Sequence, residues 1–248
     1  MRQIGIISGL KSELRCLAFG LEKPAHLVTF AAAGSPERAR VRALGWAADN
    51  RVHALMSFGL CGGLDPALSP GNVVVAHRIS LPEGGALDFD ARWAHAIASR
   101  IPGARVAPLL GASAVAATAA EKRALFDEHR APAIDTESRG VAEAAREARI
   151  PFVAIRAVAD PAARTLPKAA ARAVDAHGRV RPLRVLLGLI ARPHDLRPLL
   201  TLGADARRGY EALVAAGMRA LLPDLVPQPL HAPVDADALQ PGFVPQTT

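Results

Sequence analysis

Short apolar runs alternate with Ala- and Arg-rich stretches of helical character along the first two thirds of the chain. This alternation confines it to a layered α/β architecture. The runs are Gln3–Ile7, Leu27–Ala32, Ala54–Phe58, Asn72–Ala76, Val106–Leu110, Ala133–Asp135 and Phe152–Val158. Helices are expected over Lys11–Phe19, from Pro36 to about Asn50, over 91–100, Ala119–His129 and Ser138–Arg149, with a loop over 82–90. Ser35 followed by Pro36 reads as an N-cap and first helical position. The expected fold is therefore α/β, a single three-layer domain with a mixed, largely parallel central sheet flanked by helices.

From about residue 168 the pattern turns wholly helical, and Pro182, Pro193 and Pro198 are expected to break it into short pieces. This gives a domain over 1–222 with a helical C-terminal extension, followed by a Pro-rich tail over 223–248 that reads as extended or disordered.

At 248 residues, half of them apolar, the chain can bury one substantial core. Its net charge of +7 invites a nucleic-acid reading. Aromatics make up only 4% of the residues, too few for base-stacking platforms, and no nucleic-acid motif is present. Cys16 and Cys61, the only cysteines, lack metal-ligand spacing, and the histidines are scattered, so no metal site is expected. The charged N-terminal stretch around Lys11, Glu13 and Arg15 does not read as a signal peptide, and a cytoplasmic location is expected.

Two acidic segments stand out chemically. Asp135-Thr136-Glu137-Ser138 and Asp160-Pro161 each follow a short apolar run. In open α/β sheets ligands bind beyond the carboxyl ends of the strands, so these carboxylates are candidates for one pocket. Gly59-Leu60-Cys61-Gly62-Gly63 follows another run, and by itself reads equally well as a tight turn or as a close approach of backbone to ligand. Taken singly, Asp160 reads as a cap before Pro161, Glu137 as a helix cap and Glu13 as a solvated helix residue.

Read together, Ile4-Gly5-Ile6-Ile7 with Glu13, Ser57 to Leu64, Pro70 to Val75, Asp135 to Ser138 and Pro151 to Asp160 resemble the nucleoside phosphorylase and nucleosidase superfamily. Within it the chain most resembles the hopanoid-associated phosphorylases. That resemblance rests on Ser57 to Pro66, Leu110 to Ser113, Ala117 to Lys122, Asp160-Pro161 and Leu166-Pro167. It implies cleavage of the N-glycosidic bond of a 5′-substituted adenosine, with adenosylhopane as substrate and adenine as product. The alternative is a hydrolytic methylthioadenosine or adenosylhomocysteine nucleosidase. A catalytically silent binding protein on the same fold is a reading of another class.

The resemblance also implies residue roles. Asp160 would serve the adenine N7, and Glu13 would position an attacking water. Glu137, with Thr136 beside it, would hold the ribose hydroxyls, while Val115 and Phe152 would line the base. Relatives with Arg-x-Gly-Ser/Thr bind phosphate there, but this chain has Ser57-Phe58-Gly59-Leu60 instead. Inorganic phosphate as co-substrate would then rest on Ser8, Gly9, Lys11, Gly34, Ser35, Arg38 and Gly59, several of them near a helix N-terminus. No cofactor is implied, and a homo-oligomer is. The basic, leucine-rich segment Arg179 to Arg192 reads either as a helix packed on the core or as a peripheral contact with the inner face of a membrane.

Overall fold

The computed structural model describes residues 3–17, 26–166, 196–221 and 227. The chain is a mixed α/β fold, a curled sheet flanked by helices on both faces. Its strands are β1 (Gln3–Ser8), β2 (Leu27–Ala31), β3 (Val52–Gly63), β4 (Val73–Ala76), β5 (Arg78–Ser80), β6 (Ala86–Asp88), β7 (Arg105–Val106), β8 (Leu109–Gly111), β9 (Ala133–Asp135) and β10 (Phe152–Asp160). The helices are α1 (Lys11–Arg15), α2 (Pro36–Ala48), α3 (Ala91–Ala98), α4 (Ala119–His129), α5 (Ser138–Glu147) and α6 (Leu196–Ala220).

The sheet runs β6-β5-β8-β9-β3-β10-β4-β7, with β1 on β3 and β2 on β1. Most pairings are parallel; β10 with β4, β3 with β9 and β5 with β6 are antiparallel. One face packs α2 and α5 through Ala39, Ala43, Trp46, Val141 and Ala145. The opposite face packs α3 and α6 through Trp93, Ile97, Leu213 and Ala216. The three expected layers follow from these two clusters.

The longest strand, β3, positions everything that follows. One of its edges pairs with β10 from Leu55 to Gly62. The other edge pairs with β1 only as far as Ser57 and with β9 only from Gly62. Between them, Phe58 to Cys61 meet no strand on that side, so the sheet opens there. The glycine segment is thus not a turn: it is the last part of β3, running on past the end of β1.

Other expectations are corrected in the same way. Val106–Leu110 is two short strands, because β7 pairs with β4 while β8 pairs with β5 and β9. Residues 82–90 are not all loop, since β6 pairs back on β5. Pro198 does not break a helix; it is the third residue of the 25-residue α6. A first-turn proline gives up only an N–H that has no partner within the helix. Ser35 is the N-cap of α2, its hydroxyl accepting from the Arg38 N–H at 3.2 Å, with Pro36 next. The expected first helix ends early, at Arg15, with Cys16 and Leu17 in a turn. Ala18 and Phe19, Pro182, Pro193, the Arg179–Arg192 segment and nearly all of the tail lie outside the described residues.

Candidate active site

The opening in β3 is filled by charge. Leu60 would leave its N–H unpaired there, and the Glu13 carboxylate accepts it at 2.8 Å. The other Glu13 oxygen accepts the Leu10 N–H at 2.7 Å, fixing the start of α1. Burial pushes the Glu13 carboxyl above its ordinary range, against the pull of Arg156 and of these backbone donors.

Arg156 lies mid-way along β10, opposite Gly59 of β3. It is wholly buried. Its guanidinium pairs with Asp135 and stands 3.5 Å from Glu137 Oε2. It also donates to Ser57 Oγ at 2.6 Å and to Ser138 Oγ at 3.2 Å. Asp135 Oδ2 in turn accepts from the Ser138 N–H and hydroxyl, both at 2.9 Å. Gly59 is required by this crowding: a Cβ there would meet the guanidinium and lie 2.9 Å from Glu13 Oε1. A Cβ on Gly9 would lie 2.7 Å from Glu137 Oε1. Two glycines therefore make room for two carboxylates.

Glu137 Oε1 accepts the Thr136 hydroxyl at 3.0 Å. Burial, with Asp135 and Glu13 nearby, outweighs Arg156 and raises the Glu137 carboxyl to about 7. Gly34, just before α2, faces the same group; a Cβ there would lie 3.9 Å from Glu137 Oε1 and 4.0 Å from Thr136 Oγ1. Ser8 closes β1 with a buried hydroxyl that has no hydrogen-bond partner. The structure thus gathers Gly9, Glu13, Gly34, Gly59, Thr136 and Glu137 around Arg156, with Ser8 next to Gly9 and Ser35 next to Gly34 in the chain. Lys11 is exposed on α1, and Arg38 lies in the first turn of α2.

Asp160 ends β10. The register slips between Val158 and Asp160, and a bulge of this kind turns a side chain out of the regular alternation. Its Oδ2 accepts from Lys122 Nζ of α4 at 2.5 Å, and its buried Oδ1 has no partner. Burial raises its proton affinity, while Lys122 and then Arg164 oppose the rise. Val115 is exposed, at 63%, on the connection from β8 to α4.

Phe152 does not join the site. It opens β10 at the far end from Asp160, buried in the core with its ring 4.8 Å from that of Phe89. Eight residues of strand at roughly 3.3 Å each separate it from Asp160. Sequence reasoning missed Arg156, Ser57, Ser138 and Lys122. Arg156 had a signal: a guanidinium inside Phe152–Asp160, an otherwise apolar run, must find buried carboxylates.

The fold is shared with several solved structures. The futalosine hydrolase mutant of Helicobacter pylori strain 26695 superposes with a TM-score of 0.60 at 12% identity, covering 87% of this chain and 98% of that one. The Streptococcus pneumoniae MTA/SAH nucleosidase in complex with 8-aminoadenine does so with a TM-score of 0.62 at 16% identity, covering 88% and 99%. The S-adenosylhomocysteine nucleosidase from Streptococcus pyogenes, in complex with 5-methylthiotubericidin, gives 0.60 at 16%, covering 88% and 96%. At such identities the likeness is one of fold. No curated protein sequence matches the chain. The phosphorylase superfamily model matches residues 17–191, more than half of the sequence, and the chain belongs to that superfamily.

Proposed function

We propose that the protein cleaves the N-glycosidic bond of a 5′-substituted adenosine, adenosylhopane, and releases adenine. The observation that carries this reading is one strand, β10, placing a buried acid at its end and a buried guanidinium four positions earlier. That guanidinium holds Glu137 beside the opening. Cleavage builds positive charge on the ribose and negative charge on the base. Asp160 gives a proton to N7 as the base leaves; positioned general acids contribute ~10²–10⁴-fold. Glu137 accepts from the ribose 2′- and 3′-hydroxyls and, when ionised, faces the developing sugar cation. Thr136 supports it. The 113–118 connection, with Val115, covers the base.

The nucleophile enters near Glu13, Ser8, Gly9 and Gly59. Here a specific observation favours water over phosphate. Among the described residues Arg156 is the cation of this cluster, and Asp135, Glu137 and Glu13 surround it. A phosphate anion would approach three carboxyl groups with no unengaged guanidinium to meet it. Water needs none, and Glu13 accepts its proton. The phosphate reading keeps the Ser8 hydroxyl and the α2 N-terminus at Gly34 and Ser35 as its donors.

Adenosylhopane is too apolar to leave a bilayer freely. Leu196 and Leu200, at the start of α6, are 50% and 65% exposed, which suits an enzyme working at the inner membrane surface. Among the described residues no helix is long and apolar enough to cross a membrane. The test is adenine release from adenosylhopane and from water-soluble 5′-substituted adenosines, with and without phosphate. Ribose 1-phosphate ends would mark phosphorolysis, and no adenine from any substrate overturns the reading. Flotation with anionic vesicles tests the membrane contact, and sedimentation tests self-association.

A further inference from the structure

α4 buries one residue completely, and it is a lysine. The helix start is fixed by the Thr118 hydroxyl, which accepts the Glu121 N–H at 3.1 Å, and by Glu121, which accepts the Ala117 N–H at 2.9 Å. That sets Lys122 one turn in, pointing at the end of β10. Its ammonium donates to Asp160 Oδ2, to the Pro161 carbonyl at 3.1 Å and to the Arg164 carbonyl at 3.0 Å. All three donors are satisfied, so the ammonium has one fixed position. A buried ion pair is a poor route to stability, because apolar residues of similar volume often do as well or better. Its presence beside the candidate acid calls for another reason.

We propose that Lys122 is a positioning residue for the base-protonating acid: by holding Oδ2 it leaves Oδ1, buried and unpartnered, as the oxygen that delivers the proton to the departing purine. This rests on the function proposed above. As the C1′–N9 bond breaks, its electron pair passes to the base and N7 takes the proton from Oδ1. The nucleophile's oxygen bonds to C1′, and its proton, taken by Glu13 and released from there to solvent, makes good the one Asp160 gave up. The Asp160 carboxylate left behind is stabilised by the ammonium already in place.

The groups facing Asp160 are Lys122 from α4, Arg164 from the segment after β10, Asp205 from α6 and Cys61 from β3. Lys122 exerts the largest lowering influence on its proton affinity. Removing it therefore moves the ionisation of Asp160 to higher pH. The experiment compares wild type, Lys122→Met and Lys122→Arg in the full chain. One measurement follows the Asp160 carboxyl by carbon NMR, assigned with Asp160→Asn. The other is the pH profile of kcat/KM for adenine release.

In Lys122→Met the carboxyl titration and the alkaline limb both move up, and kcat falls about tenfold or more with KM changed less, as expected of a misplaced group. Lys122→Arg keeps the limb near its wild-type position. An unmoved titration in Lys122→Met, or an equal movement in Lys122→Arg, overturns the proposal. If Lys122→Met does not fold, Lys122→Gln, which keeps a donor but no charge, replaces it with the same expected direction. If the wild type releases no adenine, the function above falls while the carboxyl titration still decides whether Lys122 governs Asp160.

Discussion

The two ends of the β10 segment from Arg156 to Asp160 solve opposite electrostatic problems. At Arg156 one cation serves Asp135, Glu137 and Glu13. At Asp160 one carboxylate meets one dedicated ammonium. In the first cluster acids outnumber the base, so burial wins and Glu137 titrates near neutrality, at about 7. In the second one ammonium faces one carboxylate, yet burial still outweighs it and raises the Asp160 carboxyl, and the pair leaves one carboxylate oxygen over. In both regions burial is the larger influence on proton affinity, and the neighbouring charges moderate it.

The sharpest way to break this contrast is to remove the shared cation. Arg156→Met strands three buried acids, and loss of one partner from a buried pair costs about 3–5 kcal/mol. Urea unfolding should show the largest deficit at alkaline pH, with recovery on acidification as the acids protonate. A deficit independent of pH would mean that packing, not charge, is what Arg156 supplies.

Asp160→Asn comes next. The fold should survive, and adenine release should drop ~10²–10⁴-fold, the usual worth of a positioned acid. Turnover near the wild-type rate would remove Asp160 from the mechanism.

Glu137→Gln should cost roughly ten- to a hundredfold on ribosides, as expected for a hydrogen bond to a charged group, and less on 2′-deoxyribosides. Equal losses would show that Glu137 does not read the 2′-hydroxyl. It should also change stability against pH. The folded carboxyl titrates at about 7 against an ordinary 4.5. Its contribution is therefore fully present below the unfolded value and is lost as pH rises through the folded one. Denaturation midpoints from pH 4 to 8 should fall less steeply in Glu137→Gln than in wild type.

The smallest effect separates the two regions. Tyr210→Phe removes a 2.8 Å hydrogen bond between α6 and Ser12, beside Glu13, and should cost about 1 kcal/mol. The pH limb assigned to Asp160 should stay in place. Movement of that limb would mean that the two regions are coupled through α6.

The sequence made the strands at Gln3–Ile7, Ala133–Asp135 and Phe152–Val158 legible, because buried strands read as continuous apolar runs, and in the structure two of them run slightly further, to Ser8 and Asp160. Glu137 and Asp160 were legible through their positions after such runs, whereas Glu13 was legible only through the resemblance. Lys122 was not. Helical periodicity in α4 is weak, and a lysine there reads as a solvated face until the tertiary fold brings Asp160 to it. The opening of β3 was hidden for a similar reason: the glycine segment gives no sign that β1 stops short of it while β9 begins beyond it. Pro198 misled because a proline signals the end of one helix or the first turn of the next, and only the chain that follows decides which.

The helix α6 reaches both regions. Tyr210 bonds Ser12 next to Glu13, and Asp205 bonds the Arg164 guanidinium at 2.5 Å and 3.1 Å, next to Asp160 and Lys122. Ser12 and Tyr210 are 198 positions apart. During synthesis the segments bearing Glu13, Glu137 and Asp160 therefore leave the ribosome well before the helix that covers them. Until α6 docks, Glu13 and Asp160 keep more of their water, and with it a proton affinity closer to that of a free carboxylate. A nascent chain halted before residue 205 would hold Glu13, Glu137 and Asp160 and still be a weak acid–base device.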